Sequence, residues 1–129
     1  MAKVLIADSC SNVRFLLHEI MRIEGHEVVA SCQSGKEVLQ LYSAIRPDIA
    51  IMDYDLPEVD GLSAAKQILL SDERAGIVIF VPGAADWKRK AAKLGVSAII
   101  KPFDVEELKR EIDGLLGNNR SFATGPDNV

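Results

Sequence analysis

Ile49-Ala50-Ile51-Met52-Asp53, continued by Tyr54-Asp55-Leu56-Pro57 and then by Asp60-Gly61, is the stretch that decides the fold. Four apolar residues bounded by turn formers read as a strand buried on both faces, as in a parallel sheet. The run ends abruptly in acid. Asp53 is thereby set at the carboxyl end of the strand, where open α/β sheets form their binding crevices. The pattern recurs at the start of the chain, where Val4-Leu5-Ile6-Ala7 runs into Asp8. It recurs again where Ala98-Ile99-Ile100 runs into Lys101-Pro102-Phe103. Two carboxylates and one lysine thus project from three strand ends of one sheet.

The segments between these strands carry helical spacing. Val13, Leu16, Leu17, Ile20 and Ile23 give a first helix its apolar face, with Ser11 or Asn12 as cap and Gly25 beyond its end. Val28-Val29-Ala30 is a strand, and Ser34-Gly35-Lys36-Glu37 fits a capping box for a second helix bearing Val38, Leu41, Tyr42 and Ile45. A third helix runs from Leu62 to Ser71 with Ala65, Ile68 and Leu69 facing inward, and Ile77-Val78-Ile79-Phe80-Val81 is a further buried strand. Asp86 to Leu94 forms a short helix stopped by Gly95, with Lys88, Arg89, Lys90 and Lys93 outward. Asp104 caps a last helix carrying Leu108, Ile112, Leu115 and Leu116. Five strands, each followed by a helix, predict an α/β fold with a doubly wound parallel sheet. The domain is expected over residues 1–117. Residues 118–129 are rich in Asn, Ser, Gly and Asp and read as a flexible polar tail or the start of a linker.

At 129 residues, 48% hydrophobic and 26% charged, the composition is that of an ordinary globular domain. A net charge of -4 gives no general attraction to nucleic acid or to an anionic membrane surface. No apolar stretch approaches the roughly 20 residues that span a bilayer, and Met1-Ala2-Lys3 runs into a strand without the apolar core of a signal peptide. Cys10 and Cys32 form neither a metal spacing nor a disulfide framework. A reduced, cytoplasmic setting is expected.

With Asp8 after the first strand, Asp53, Pro57 and Asp60-Gly61 around the third, and Lys101-Pro102-Phe103 after the fifth, the chain resembles the receiver domains of two-component response regulators. The resemblance runs from Lys3 to about Leu116. It implies the flavodoxin-like strand order 2-1-3-4-5. It implies that Asp53 is the phosphoacceptor for a phosphoryl group from a sensor histidine kinase. It implies Mg²⁺ held by Asp8, Asp53 and the backbone carbonyl of Asp55, with Lys101 contacting Asp53 and later a phosphoryl oxygen. The residue types suit that chemistry. Phosphoryl transfer is mostly positioning and charge neutralisation, Mg²⁺ prefers oxygen ligands, and lysine adds a compact second cation. By the same resemblance the chain is not an enzyme. It is a monomer or weak dimer that signals to a downstream protein or output domain through the face of the fourth helix, fifth strand and fifth helix.

Three positions depart from the family. Ser9 stands where the family usually has a second acid, and that missing acid is the customary direct Mg²⁺ ligand. Val81 stands where a Thr or Ser hydroxyl binds the phosphoryl group, and the chain's only threonine is Thr124. Ala98 stands where an aromatic ring usually swings inward. Valine cannot donate a hydrogen bond and alanine has no ring to turn. These substitutions keep a second reading open, a phosphorylation-independent pseudo-receiver that serves as a protein-interaction module.

Blander readings stand beside several of these assignments. Asp8 could cap the first helix, and Lys101-Pro102 could be an ion pair and a tight turn, to which a cis bond is available. Asp55 reads as a solvated loop acid, or as a side chain that compensates for Ser9. Asp60-Gly61 reads as turn chemistry. The lysine-rich helix beside Trp87 reads either as a solvated face or as a partner surface. Asp53-Tyr54-Asp55 also matches the D-x-D of dehalogenase-type phosphatases, but that family places the pair on its first strand.

Overall fold

The computed structural model describes residues 1–83 and 86–124, with 118–124 described by backbone alone. Its elements alternate strictly: β1 Lys3–Ala7, α1 Ser11–Ile23, β2 Glu27–Cys32, α2 Gly35–Ile45, β3 Ile49–Asp53, α3 Gly61–Ser71, β4 Gly76–Val81, α4 Asp86–Leu94, β5 Ser97–Ile100 and α5 Val105–Thr124. All pairings are parallel, and the strand order is β2-β1-β3-β4-β5. This is the doubly wound arrangement that the alternation predicts.

Alternate side chains of each central strand feed two separate cores. Leu5, Ala7, Ala50, Met52, Ile77, Ile79 and Val81 pack with Val38, Tyr42, Ala64, Ala65, Ile68 and Ala91 of α2, α3 and α4. Val4, Ile6, Ile49, Ile51, Val78, Phe80 and Ile99 pack with Leu17, Ile20, Met21, Leu108 and Ile112 of α1 and α5. Every one of these residues is at most 7% exposed, which explains why the central strands read as unbroken apolar runs.

The helix ends follow their local chemistry. Ser34 accepts from the Glu37 amide at 3.1 Å, while the Glu37 carboxylate reaches back to the Gln33 amide at 3.0 Å, one residue beyond the usual capping-box partner. Asp60 caps α3 by accepting from the Ser63 amide at 2.8 Å. Gly95 ends α4 at φ +91, with its amide and that of Val96 both donating to the Ala91 carbonyl.

Three expectations are corrected. The N-cap of α1 is Cys10, with no side-chain cap, and Ser11 is already helical. The buried stripe of α1 is Leu17, Ile20 and Met21. Leu16 is 46% and Ile23 71% exposed, because the helix is rolled so that positions 17, 20 and 21 meet the sheet. Finally, α5 continues through 118–124, where the sequence suggests a flexible polar tail; residues 125–129 lie outside the described residues. Glycine inside a helix costs only about 1 kcal/mol relative to alanine, and the next proline able to stop the helix is Pro126.

Candidate functional site

The register of the sheet brings the three charged strand ends together. Ala7 pairs with Met52, so Asp8 and Asp53 lie side by side at the ends of adjacent strands. Between β1 and β3 the chain has crossed from one side of the sheet to the other, which makes this the topological switch point of the fold. Asp53 pairs with Phe80, and Val81 pairs with Ile100, so Lys101 leaves β5 on the same rim. Asp8, Asp53 and Lys101 share the strand parity of the residues that face α1 and α5.

Lys101 bridges both acids. Its Nζ lies 2.9 Å from Asp8 Oδ2 and 3.3 Å from Asp53 Oδ1. Its side chain is 30% exposed, against 2% for Asp8 and 15% for Asp53. The Lys101 amide donates to the Val81 carbonyl at 3.0 Å, and the Lys101–Pro102 bond is cis. Below the ammonium group, 5.6 Å from its ring centre, lies the buried Phe80, itself stacked on Phe103. That ring face favours a cation.

Asp8 is the more committed acid. Its Oδ1 accepts from the Cys10 amide at 2.8 Å, so it steadies the start of α1 while it holds Lys101. Its carbonyl accepts from Arg14 Nη1. Asp8 is not the cap of α1, whose N-cap is Cys10, but it accepts from the amide of that residue. Among the described residues Lys101 is the side chain that pairs with Asp53, which faces a shallow cleft of about 230 Å³ shared with Tyr54, Asp55, Val81, Pro82 and Lys101.

Burial pushes the Asp53 carboxyl above its ordinary range; Lys101 opposes this, and the neighbouring charges of Asp8 and Asp55 add to it. For Lys101, desolvation pulls downward, but the hydrogen bond to Asp8 and the charges of both acids outweigh it and hold the ammonium form above its usual range. The two shifts differ in cause: burial dominates at Asp53, while two nearby carboxylates dominate at Lys101.

The loop after β3 is fixed by backbone geometry. The Tyr54 carbonyl accepts from the amides of Leu56 and Gly61. A Cβ on Gly61 would lie 2.3 Å from the Asp53 carbonyl oxygen. Only glycine lets α3 start this close to the acid, which gives Asp60-Gly61 a packing role beside the cap. The Asp55 side chain is exposed, as the solvated-acid reading expects.

For Mg²⁺ the donor chemistry fits. Asp8 and Asp53 offer hard carboxylate oxygens and the Asp55 backbone adds a carbonyl, and Mg²⁺ is satisfied with one or two carboxylates plus water and phosphate oxygens. The donor set is lean. Among the described residues no three His, Cys, Asp or Glu side chains converge on one point, and Ser9, the position of the usual second acid, is exposed.

Several neighbours of the site escape a reading of the sequence. Phe80 is indistinguishable in sequence from any core residue of β4. Arg14 reads as a polar position on α1. Tyr54 packs on Trp87 of α4 at 4.3 Å between ring centres, a contact between residues far apart in the sequence.

Residues 4–113 match the sequence model of the response regulator receiver domain. The chain belongs to the response regulator receiver domain family. Among relatives, the chemotaxis protein CheY of Thermotoga maritima is 34% identical over 103 residues, 78% of this chain and 86% of that protein. Sporulation initiation phosphotransferase F of Bacillus subtilis is 29% identical over 116 residues, covering 88% and 97%. A LuxR-family two-component response regulator from Aurantimonas superposes with a TM-score of 0.83 at 30% identity, covering 92% of this chain and 86% of that one. A receiver domain from Clostridium thermocellum, 22% identical, shares the fold with a TM-score of 0.87. The receiver module of two-component signalling is therefore what this chain carries. Among the described residues no helix is long and apolar enough to cross a membrane.

Proposed function

We propose that this receiver domain accepts a phosphoryl group on Asp53 from the phosphohistidine of a sensor kinase. The observation that carries the reading is the bridge from Lys101 to Asp53 and Asp8 across two adjacent strands and the far strand of the same rim. In the transfer, an Asp53 carboxylate oxygen forms the new O–P bond as the P–N bond to the kinase imidazole breaks. The imidazole nitrogen leaves with the electron pair and takes up a proton. Burial makes the Asp53 carboxylate a stronger base than an exposed one, and Lys101 stands ready to move from Asp53 to a phosphoryl oxygen. Asp8, Asp53 and the Asp55 carbonyl are the residues that would hold Mg²⁺. When bound, the metal neutralises charge between the carboxylate and the incoming phosphoryl group. Intact-mass spectrometry after incubation with acetyl phosphate and Mg²⁺ tests this. The wild type is expected to gain one phosphoryl group and Asp53→Asn none; an unmodified wild type at high Mg²⁺ refutes it.

The second reading, a pseudo-receiver that binds partners without phosphorylation, draws on Val81. It is buried at 3% exposure, lines the cleft and offers no hydrogen-bond donor to a phosphoryl group. Mg²⁺ titration followed by Trp87 fluorescence separates the two, because Trp87 contacts Tyr54, the residue after Asp53. A flat titration together with an unmodified Asp53 favours the pseudo-receiver. A phosphatase of the D-x-D type is disfavoured because Asp53 lies on the third strand. In either signalling reading, a downstream protein or output domain is engaged through α4, β5 and α5.

A further inference from the structure

The basic residues of α4 divide into two sets. Lys88 reaches toward α5 and pairs with Glu107 at 3.3 Å, and Arg89 pairs with Asp86 at 3.1 Å. Lys90 and Lys93 turn to the other flank of α4. There, with Lys66, Leu62 and Leu94, they line a groove of about 270 Å³ between α3 and α4. Among the described residues no carboxylate pairs with Lys66, Lys90 or Lys93. All three are exposed, while Leu62 and Leu94 are half-buried. Leu70, 88% exposed, continues the same ridge of α3, since 62, 66 and 70 are spaced by four. Leu62 and Leu70 are therefore about 12 Å apart along the helix, roughly two turns.

Three ammonium groups with no carboxylate partner among the described residues, set over an apolar floor in a chain whose net charge is -4, are a local reversal of sign. Lysine stems lie readily along apolar surface with their heads in water, and an apolar floor rimmed by such heads is the form that a protein-binding site takes.

We propose that the α3–α4 groove docks an acidic amphipathic helix of a partner protein, distinct from the α4–β5–α5 face. Leucines of that helix, at helical spacing, cover Leu62, Leu94 and Leu70, and its flanking carboxylates meet Lys66, Lys90 and Lys93. Lys90 Nζ lies 5.0 Å from the centre of the Trp87 ring, so occupation of the groove is reported by the chain's lone tryptophan. Because Trp87 also packs on Tyr54, the groove and the Asp53 cleft touch the same aromatic pair.

The probe is a fluorescein-labelled synthetic helix of about 14 residues, four turns, with leucines at i, i+3, i+4 and i+7 and glutamates beside them. Its anisotropy is measured against the full chain without phosphodonor or Mg²⁺, so that failure here is separate from failure of Asp53 to accept a phosphoryl group. Saturable binding below about 1 mM is expected, with a change in Trp87 emission and a loss of affinity as salt rises. The triple variant Lys66→Gln/Lys90→Gln/Lys93→Gln should weaken binding by about tenfold or more. The control Lys88→Gln/Arg89→Gln should change it by less than about twofold. These exposed side chains leave the fold intact, which circular dichroism checks. Absence of binding, an equal loss in both variants, or equal binding of the same helix with lysines in place of its glutamates would overturn the proposal. So would tighter binding of phosphatidylglycerol vesicles or of an oligonucleotide than of the peptide, or self-association that the triple variant abolishes.

Discussion

The two sides of the sheet's carboxyl rim are built on different principles. On the parity that faces α1 and α5, Asp8, Asp53 and Lys101 form a compact charged cluster set on buried strand ends. On the parity that faces α2, α3 and α4, Val81, Ala98 and Ile100 present hydrocarbon to one another and to α4. The first side is the one proposed above to receive a phosphoryl group. The second offers, at Val81 and Ala98, neither the hydroxyl nor the ring that the resemblance leads us to expect. On that proposal receiving and transmitting are separable, because adjacent strand positions point to opposite layers.

The largest effect should come from breaking the charged side. Lys101→Ala leaves Asp8, buried at 1% exposure, without its cation. Removing one partner of a buried pair is strongly destabilising, and a loss of about 3 kcal/mol in urea unfolding is expected. Mg²⁺ should recover part of that loss in the variant, since it can replace the missing charge. A cost below about 0.5 kcal/mol would mean that water already shields the pair.

Next in size is a change on the apolar side. Val81→Thr keeps the shape but buries a hydroxyl, which costs about 1–3 kcal/mol if it finds no partner. With beryllofluoride and Mg²⁺ present, that hydroxyl gains an acceptor, so the variant should be stabilised more by the phosphoryl mimic than the wild type is. Equal stabilisation of the two proteins would show that the hydroxyl is not what the apolar side lacks.

A smaller effect is expected for Asp53→Asn. The Asp53 carboxyl is raised above its unfolded value, so its favourable contribution exists below the unfolded pKa and is lost as pH rises through the folded one. At neutral pH the ionised acid therefore costs stability. Asp53→Asn should raise the urea midpoint at pH 7, and the advantage should fade as the pH falls below the unfolded carboxylate pKa of about 3.9. A lower midpoint at pH 7 would mean that the attraction to Lys101 outweighs burial.

Much of this architecture is legible in the sequence because one physical cause dominates each legible feature. The central strands are buried on both faces, so Ile49 to Met52 cannot be mistaken for a solvent-facing strand, and the break to Asp53 marks the rim. Ser34 acts as a cap within a few residues, where local hydrogen bonding decides, whereas Asp60, read as turn chemistry, turns out to cap α3. What depends on how a helix rolls is less legible. The α1 pattern includes both Leu16 and Leu17, and periodicity alone cannot say which of them meets the sheet. Long-range partners are legible least. That Lys101 divides itself between Asp8 and Asp53 follows from sheet order and register, and that Tyr54 meets Trp87 follows from the placing of α4. Neither contact leaves a trace in local spacing.

The most direct test of the separation is amide and indole NMR of the ¹⁵N-labelled chain, with and without beryllofluoride and Mg²⁺. The resemblance leads us to expect coupling of the two sides through a hydroxyl and a ring. Losing one charge-assisted hydrogen bond removes about 1.5–3 kcal/mol, as much as a typical allosteric coupling energy of about 1–3 kcal/mol. Large shifts are predicted at Asp8, Asp53 and Lys101, and a small one at the Trp87 indole through its contact with Tyr54. Ser97 to Ile100 and α5 should stay nearly unchanged. Large shifts across β5 and α5 would contradict the account, because they would show a phosphoryl signal crossing the sheet without the hydroxyl and ring that Val81 and Ala98 replace.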